Sequence, residues 1–126
     1  MRVFKNSRNY YLATADGDQP RVRPFGTAHI FENKLYIQSG HSKDVAKQML
    51  KNPKIEISAC LDDRWIRIAA TAVLDERTEA QESLLAAYPS LQEMYKPGDG
   101  NVTVFYLQDA KATISSFTGG TESFTF

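Results

Sequence analysis

The amino-acid sequence predicts a mainly-β protein: an antiparallel barrel, closed or partly closed, with peripheral helices. Three observations carry this expectation. Short runs of alternating apolar and polar residues follow one another through turn residues, too closely spaced for helices to intervene. Asp16-Gly17 stands between two such runs, a hairpin signal. Helical spacing is confined to a few segments, whereas a doubly wound sheet alternates helix and strand regularly.

Taken in order, Asn9–Thr14 is aromatic and β-branched and reads as a first strand, broken at Asp16-Gly17-Asp18. The run from Arg21 to Phe31 reads as a second. It sets Val22, Gly26, Ala28 and Ile30 on one face against Arg21, Arg23, Phe25 and Phe31. Glu32-Asn33-Lys34 makes a turn and Leu35–Gln38 a third strand, completing a meander. After Ser39-Gly40-His41 the period changes. Val45, Ala46, Met49 and Leu50 fall on one helical face, predicting a helix over Ser42–Asn52 with Ser42 as N-cap and Asn52-Pro53 as its stop. Strands resume at Lys54–Leu61 and, past Asp62-Asp63, at Trp65–Leu74. A helix is expected over Thr78–Ala87 and a second short helical piece from Pro89, including Leu91 and Met94. Val102–Leu107 and Ala112–Phe117 close the pattern, and residues 119–126 show little. No repeat or linker divides the chain, so one domain over residues 1–126 is expected.

Composition narrows the function classes. The chain is 42% hydrophobic and 24% charged with zero net charge, the profile of a globular protein. Neutrality argues against general nucleic-acid binding, which needs a strongly basic face. Charge is nevertheless uneven: residues 1–70 carry twelve Lys/Arg against seven Asp/Glu, and residues 71–126 carry three against eight. A basic half within a neutral protein suits one compact anion, such as a phosphate. No apolar run approaches the roughly 20 residues of a membrane span. Met1-Arg2-Val3-Phe4-Lys5-Asn6 lacks the apolar core of a signal peptide, so a cytoplasmic protein without a membrane partner is expected. The lone Cys60 excludes an intrachain disulfide. With only His29 and His41 beside it, it also excludes a Cys/His zinc site. Within its alternating strand Cys60 is expected to be a buried structural thiol.

Three stretches could carry chemistry. In Gln19–Gly26, Arg21 and Arg23 share a strand face and could grip phosphate oxygens, or simply face solvent. Pro24 removes a donor and points to an interrupted or edge strand. In Gln38–Asp44, a glycine loop opening a helix presents backbone N–H groups to an anion, with Ser39, Ser42 and Lys43 as added donors; Ser42 is equally explained as a cap. In Arg64–Ile68, Trp65 and Arg67 point away from Ile66 and Ile68, toward another subunit, a flat ligand or a core. No serine elbow or triad is present.

Together these stretches resemble the pyridoxamine 5′-phosphate oxidase-like FMN-binding split barrels. Tyr11–Thr14 and Asp16–Gly26 resemble the first hairpin of that family. Leu35-Tyr36-Ile37, Lys43-Asp44-Val45, Asn52-Pro53 and Trp65–Ile68 continue the likeness at matching spacings over nearly the whole chain. The resemblance implies an antiparallel split β-barrel of FMN-binding type, working as a homodimer with two FMN sites at the subunit interface. It implies that Arg23, with Arg21 nearby, and the Ser39/Ser42/Lys43 loop hold the phosphate and ribityl chain. Main-chain groups around Val22, Pro24, Phe25 and Gln38 would border the isoalloxazine ring, and Trp65 and Arg67 would reach it from one subunit or the other. Oxidation of vitamin B6 is not expected, because no arginine follows Arg77 where that enzyme's substrate-binding segment would lie. A flavin-dependent oxidoreductase passing electrons between a small-molecule donor and acceptor is expected. A non-catalytic flavin carrier or sensor is the alternative, as is a haem protein with His29 or His41 as axial ligand.

Overall fold

Eight antiparallel strands carry the fold in a computed structural model that describes residues 9–126; the Met1–Asn6 stretch lies outside the described residues. The elements are β1 (Tyr10–Asp16), β2 (Gln19–Phe25), β3 (His29–Phe31), β4 (Lys34–Gly40), α1 (Asp44–Lys51), β5 (Lys54–Leu61), β6 (Arg64–Leu74), α2 (Thr78–Ala87), a 3₁₀ helix (Pro89–Glu93), β7 (Val102–Ser116) and β8 (Thr121–Thr125). The sheet runs β2-β1-β5-β6-β7-β4-β3, and β8 adds to β7.

That order forces curvature. β2 and β3 stand at opposite ends of the path, yet only Gly26–Ala28 joins them. Laid flat, the two strands would lie roughly 29 Å apart at ~4.8 Å per strand. Four residue steps reach at most about 14 Å. The sheet therefore curls until its ends approach, giving a barrel split along one seam, between β2 and the β3–β4 hairpin. The mainly-β split barrel with peripheral helices is the observed architecture.

The inner face holds the core. Leu12, Ile37, Ile57, Ile66 and Ile68 are fully enclosed, and each such burial contributes roughly 1.5–3 kcal/mol. Helix α1 adds Val45, Ala46 and Met49 to the same cluster. Helix α2 packs on the outside of β4 and β7, Leu84 against Tyr36 and Val104, and Leu85 against Tyr95 and Val102. The two-residue β3–β4 turn places Glu32 and Asn33 at φ 51° and 63°, as a type I′ hairpin requires. Glutamate is an unusual occupant, and Arg77 holds it with two hydrogen bonds of 2.7 and 3.3 Å. Arg77 also donates to both carboxylate oxygens of the buried Asp75, which accepts the Tyr36 hydroxyl at 2.6 Å.

Several expectations need correction. The run from Arg21 to Phe31 is two strands: alternation ends at Phe25, and Gly26–Ala28 carries the chain across the seam. Helix α1 begins at Asp44 with Lys43 as N-cap, so Ser42 does not cap it. Cys60 is exposed, because its register pairs it with Trp65 on the outer face while Ala59 points inward. The two closing strands are one, β7, which passes through Asp109 at φ 52°, and the patternless tail holds β8.

Candidate functional site

The seam leaves main-chain groups of two strands without a neighbouring strand, and a cleft of about 510 Å³ opens there. Its lining comes from β2 and the crossing (Arg23 to Thr27), β4 (Gln38, Ser39), the start of α1 (Lys43, Val45) and the segment after α2 (Tyr88 to Tyr95). Six residues expected from the sequence meet here: Arg23, Pro24, Phe25, Gln38, Ser39 and Lys43.

Register decides where Arg23 goes. It lies opposite Leu12, so its side chain takes the inner face of β2 and runs toward α1. One Nη donates to the Leu12 carbonyl (3.2 Å) and to Thr14 Oγ1 (2.7 Å), and the other to Gln48 Oε1 (2.7 Å). Thr14 in turn donates to Gln48 Oε1 at 2.6 Å. All three acceptors are neutral, and among the described residues no carboxylate pairs with this guanidinium. Partial burial, then the neighbouring Arg21 charge, lower its pKa from the usual arginine value. The Asp44 carboxylate at the start of α1 offsets part of that cost without contacting the guanidinium.

Beside it the loop Gly40–Lys43 folds back, with the Lys43 N–H donating to the Gly40 carbonyl at 2.9 Å. The first-turn N–H groups of α1 have no intrahelical acceptors, and the positive end of the helix dipole lies at the cleft. On β4, the Gln38 N–H donates to Thr27 Oγ1 (3.0 Å), while the Gln38 side chain donates to the Ser39 carbonyl (2.8 Å). Directly across from Ser39, Thr103 carries a buried hydroxyl that has no hydrogen-bond partner. Guanidinium, ammonium and helix start form a donor set suited to a phosphate-bearing ligand, and the volume is in the range of small-molecule sites.

The remaining expected residues lie elsewhere. Arg21 is half exposed and paired with Asp16 at 3.2 Å. Val22 points to the outer face, 68% exposed, and Ser42 does not line the cleft. Trp65 and Arg67 sit on the outer face of β6. Arg67 shares a row with Ser58, Tyr11 and Pro24, so it stands three strand spacings, about 14 Å, from the cleft in its own chain. It is paired with Glu56 at 3.6 Å. Of the two histidines, His29 hydrogen-bonds Ser83 (2.7 Å) and His41 is exposed. A second cleft of similar size, between the β1–β2 turn and α1, mixes Asp16 and Asp44 with Lys47 and Lys51, a compensated lining.

The sequence did not single out Thr27, Tyr88, Leu91, Met94 or Tyr95. They reach the cleft only through long-range contacts, such as the Tyr88 hydroxyl bonded to both the N–H (2.8 Å) and the C=O (2.9 Å) of Ala28. Among the described residues no three potential metal ligands cluster, and no helix is long and apolar enough to cross a membrane.

Residues 1–113 match the family model described as Pyridoxamine 5′-phosphate oxidase. A NimC/NimA family protein from Clostridium acetobutylicum superposes with a TM-score of 0.94 at 44% identity, over 99% of this chain and 88% of that one. General Stress Protein 26 from Bacillus anthracis gives 0.75 at 16% identity, over 98% and 94% of the two chains. A pyridoxamine 5′-phosphate oxidase-related, FMN binding protein from Nostoc punctiforme gives 0.59 at 15% identity, over 98% and 88%. The last two likenesses speak to the fold. No curated protein matches the chain.

Proposed function

The chain belongs to the pyridoxamine 5′-phosphate oxidase family, and on that premise we propose that it binds FMN in the seam cleft and acts, as a homodimer, as an oxidoreductase on a small acceptor. The observation that carries this reading is Arg23: a part-buried cation beside α1 whose three hydrogen-bond partners are all neutral, with no carboxylate in contact. The phosphate of FMN would supply the missing charge, with Lys43 and the first turn of α1 as further donors. Ser39, Gln38 and the seam groups near Pro24 and Phe25 would orient the ribityl chain and the ring edge, and Val45 would exclude water. Bound FMN supplies two-electron transfer chemistry.

The outer sheet face supports the dimer reading. Tyr11, Val22 and Phe117 are 55, 68 and 74% exposed there, and Phe117 stacks on Trp65 with ring centroids 4.5 Å apart. Apolar exposure over one sheet face favours covering by a second copy. Trp65 and Arg67 are too far from the cleft of their own chain, so they would serve the partner's site.

The test is direct. Purified protein titrated with FMN should bind it with perturbed flavin absorption and should sediment as a dimer. Anaerobic NADH or NADPH should then bleach the flavin, and an acceptor should restore it. A protein that ignores FMN removes the reading. One that binds FMN but resists reduction by either nucleotide is a carrier or sensor.

A further inference from the structure

The wall of the cleft facing Arg23 is built from different chemistry. Its frame is held by two tyrosines: Tyr88, bonded to Ala28, and Tyr95, buried against Gly40. A Cβ at position 40 would come within 2.8 Å of the Tyr95 hydroxyl, so the glycine is what admits that ring. Between the anchors, Leu91 is half-buried and Met94 is 68% exposed, and both line the cleft. None of the lining residues in this segment is charged.

We propose that Tyr88–Tyr95 selects the second ligand of the cleft, an uncharged planar aromatic molecule resting on Leu91 and Met94. This rests on the FMN reading, which assigns the cationic end to the flavin phosphate. A thioether and a leucine make favourable contacts with an aromatic face. With Arg23 and Lys43 engaged by the flavin phosphate, an anion placed on this wall would lose hydration without gaining a cation. One cleft thus sorts its ligands by charge: the anionic cofactor at Arg23, the neutral substrate at Met94.

Calorimetry on FMN-saturated protein with 2-naphthol and 2-naphthyl phosphate tests this. The naphthol should bind more tightly by at least about tenfold, the scale of one desolvated charge. Met94→Ser and Leu91→Ser should each weaken naphthol by about tenfold through lost apolar contact, while FMN affinity stays within about twofold. Met94 is exposed, so its variant tests the wall without risk to folding; circular dichroism checks the Leu91 variant. Equal or tighter binding of the phosphate, or naphthol binding untouched by both variants, overturns the proposal. If the wild type takes no FMN, 2-naphthol titrated into cofactor-free wild type and the two serine variants still judges the wall, and only the flavin reading fails.

Discussion

Arg77 and Arg23 are the same residue in opposite circumstances. Arg77 meets two carboxylates, Asp75 and Glu32, through four hydrogen bonds and lies over the Phe31 ring. Those partners raise its pKa further, and Arg77 in return holds Asp75 down at about 2. Arg23 meets only a carbonyl, a hydroxyl and an amide, and burial pushes its pKa the other way. The first cation is answered inside the fold and fastens the β3–β4 turn to the start of α2. On the proposed reading, the second is left for the phosphate of an incoming ligand. Which arginine is structural and which is functional depends on the partners supplied, not on the residue type.

The largest effect expected from this contrast is on the ligand. Arg23→Ala should raise the FMN dissociation constant by about 100-fold, the loss of a charge-assisted, bidentate-capable donor. Denaturation should shift by only about 1 kcal/mol, since the lost partners are neutral. Fluorescence titration beside urea melts decides it; equal losses of affinity and fold would erase the distinction between the two arginines.

Asp75 should show the reverse pattern, touching stability and sparing FMN. Its carboxyl titrates near 2 in the folded protein and near 3.9 unfolded. The unfolded chain therefore binds the proton first as pH falls. Stability from this group is full above about pH 4 and declines by about 2 kcal/mol on approach to pH 2. Tyr36 mirrors it on the alkaline side: burial and Asp75 push it to about 12, so its contribution, intact below about pH 10, is lost as pH rises toward that value. Asp75→Asn should flatten the acid limb of urea midpoints recorded from pH 2 to 7, with FMN affinity unchanged. A limb that keeps its slope would place the acid sensitivity elsewhere.

Gly40→Ala should cost about 1 kcal/mol as Tyr95 yields to the new methyl, and should alter ligand binding at the Met94 end more than FMN affinity. The smallest effect belongs to Arg21. Its charge already has Asp16 and half its surface in water, so Arg21→Ala should change FMN affinity less than about threefold. A loss matching that of Arg23→Ala would mean the two arginines share the phosphate.

Local pattern made most elements legible. Period-2 alternation read out β5 and β6, and the Thr78–Ala87 helix was visible from its apolar spacing. What local pattern could not carry was pairing between distant strands. Gly26–Ala28 continues the alternation on paper, and only the order β2-β1-β5-β6-β7-β4-β3 shows that it spans a seam. Cys60 was misplaced because a free thiol usually packs as a small hydrophobe, although it shares strand parity with Lys54, Glu56 and Ser58, the outer face, against Ile55, Ile57 and Ala59. At the site, Arg23, Gln38, Ser39 and Lys43 were readable because cations and donors stand out in a short segment. Leu91, Met94 and Tyr95 carry no such mark, since apolar residues near a helix usually mean core.

The two prolines of β2 have one more consequence. Pro20 and Pro24 share one strand parity, opposite Ala15 and Tyr11, and a proline fits a strand where its nitrogen faces away from the paired neighbour. Of the three outward-facing positions 20, 22 and 24, only Val22 can then donate a hydrogen bond. An edge so poor in donors cannot template an incoming strand, whether β4 of its own chain or an extended segment of another molecule. The two prolines that strip this margin of donors therefore protect the protein from polymerising through it.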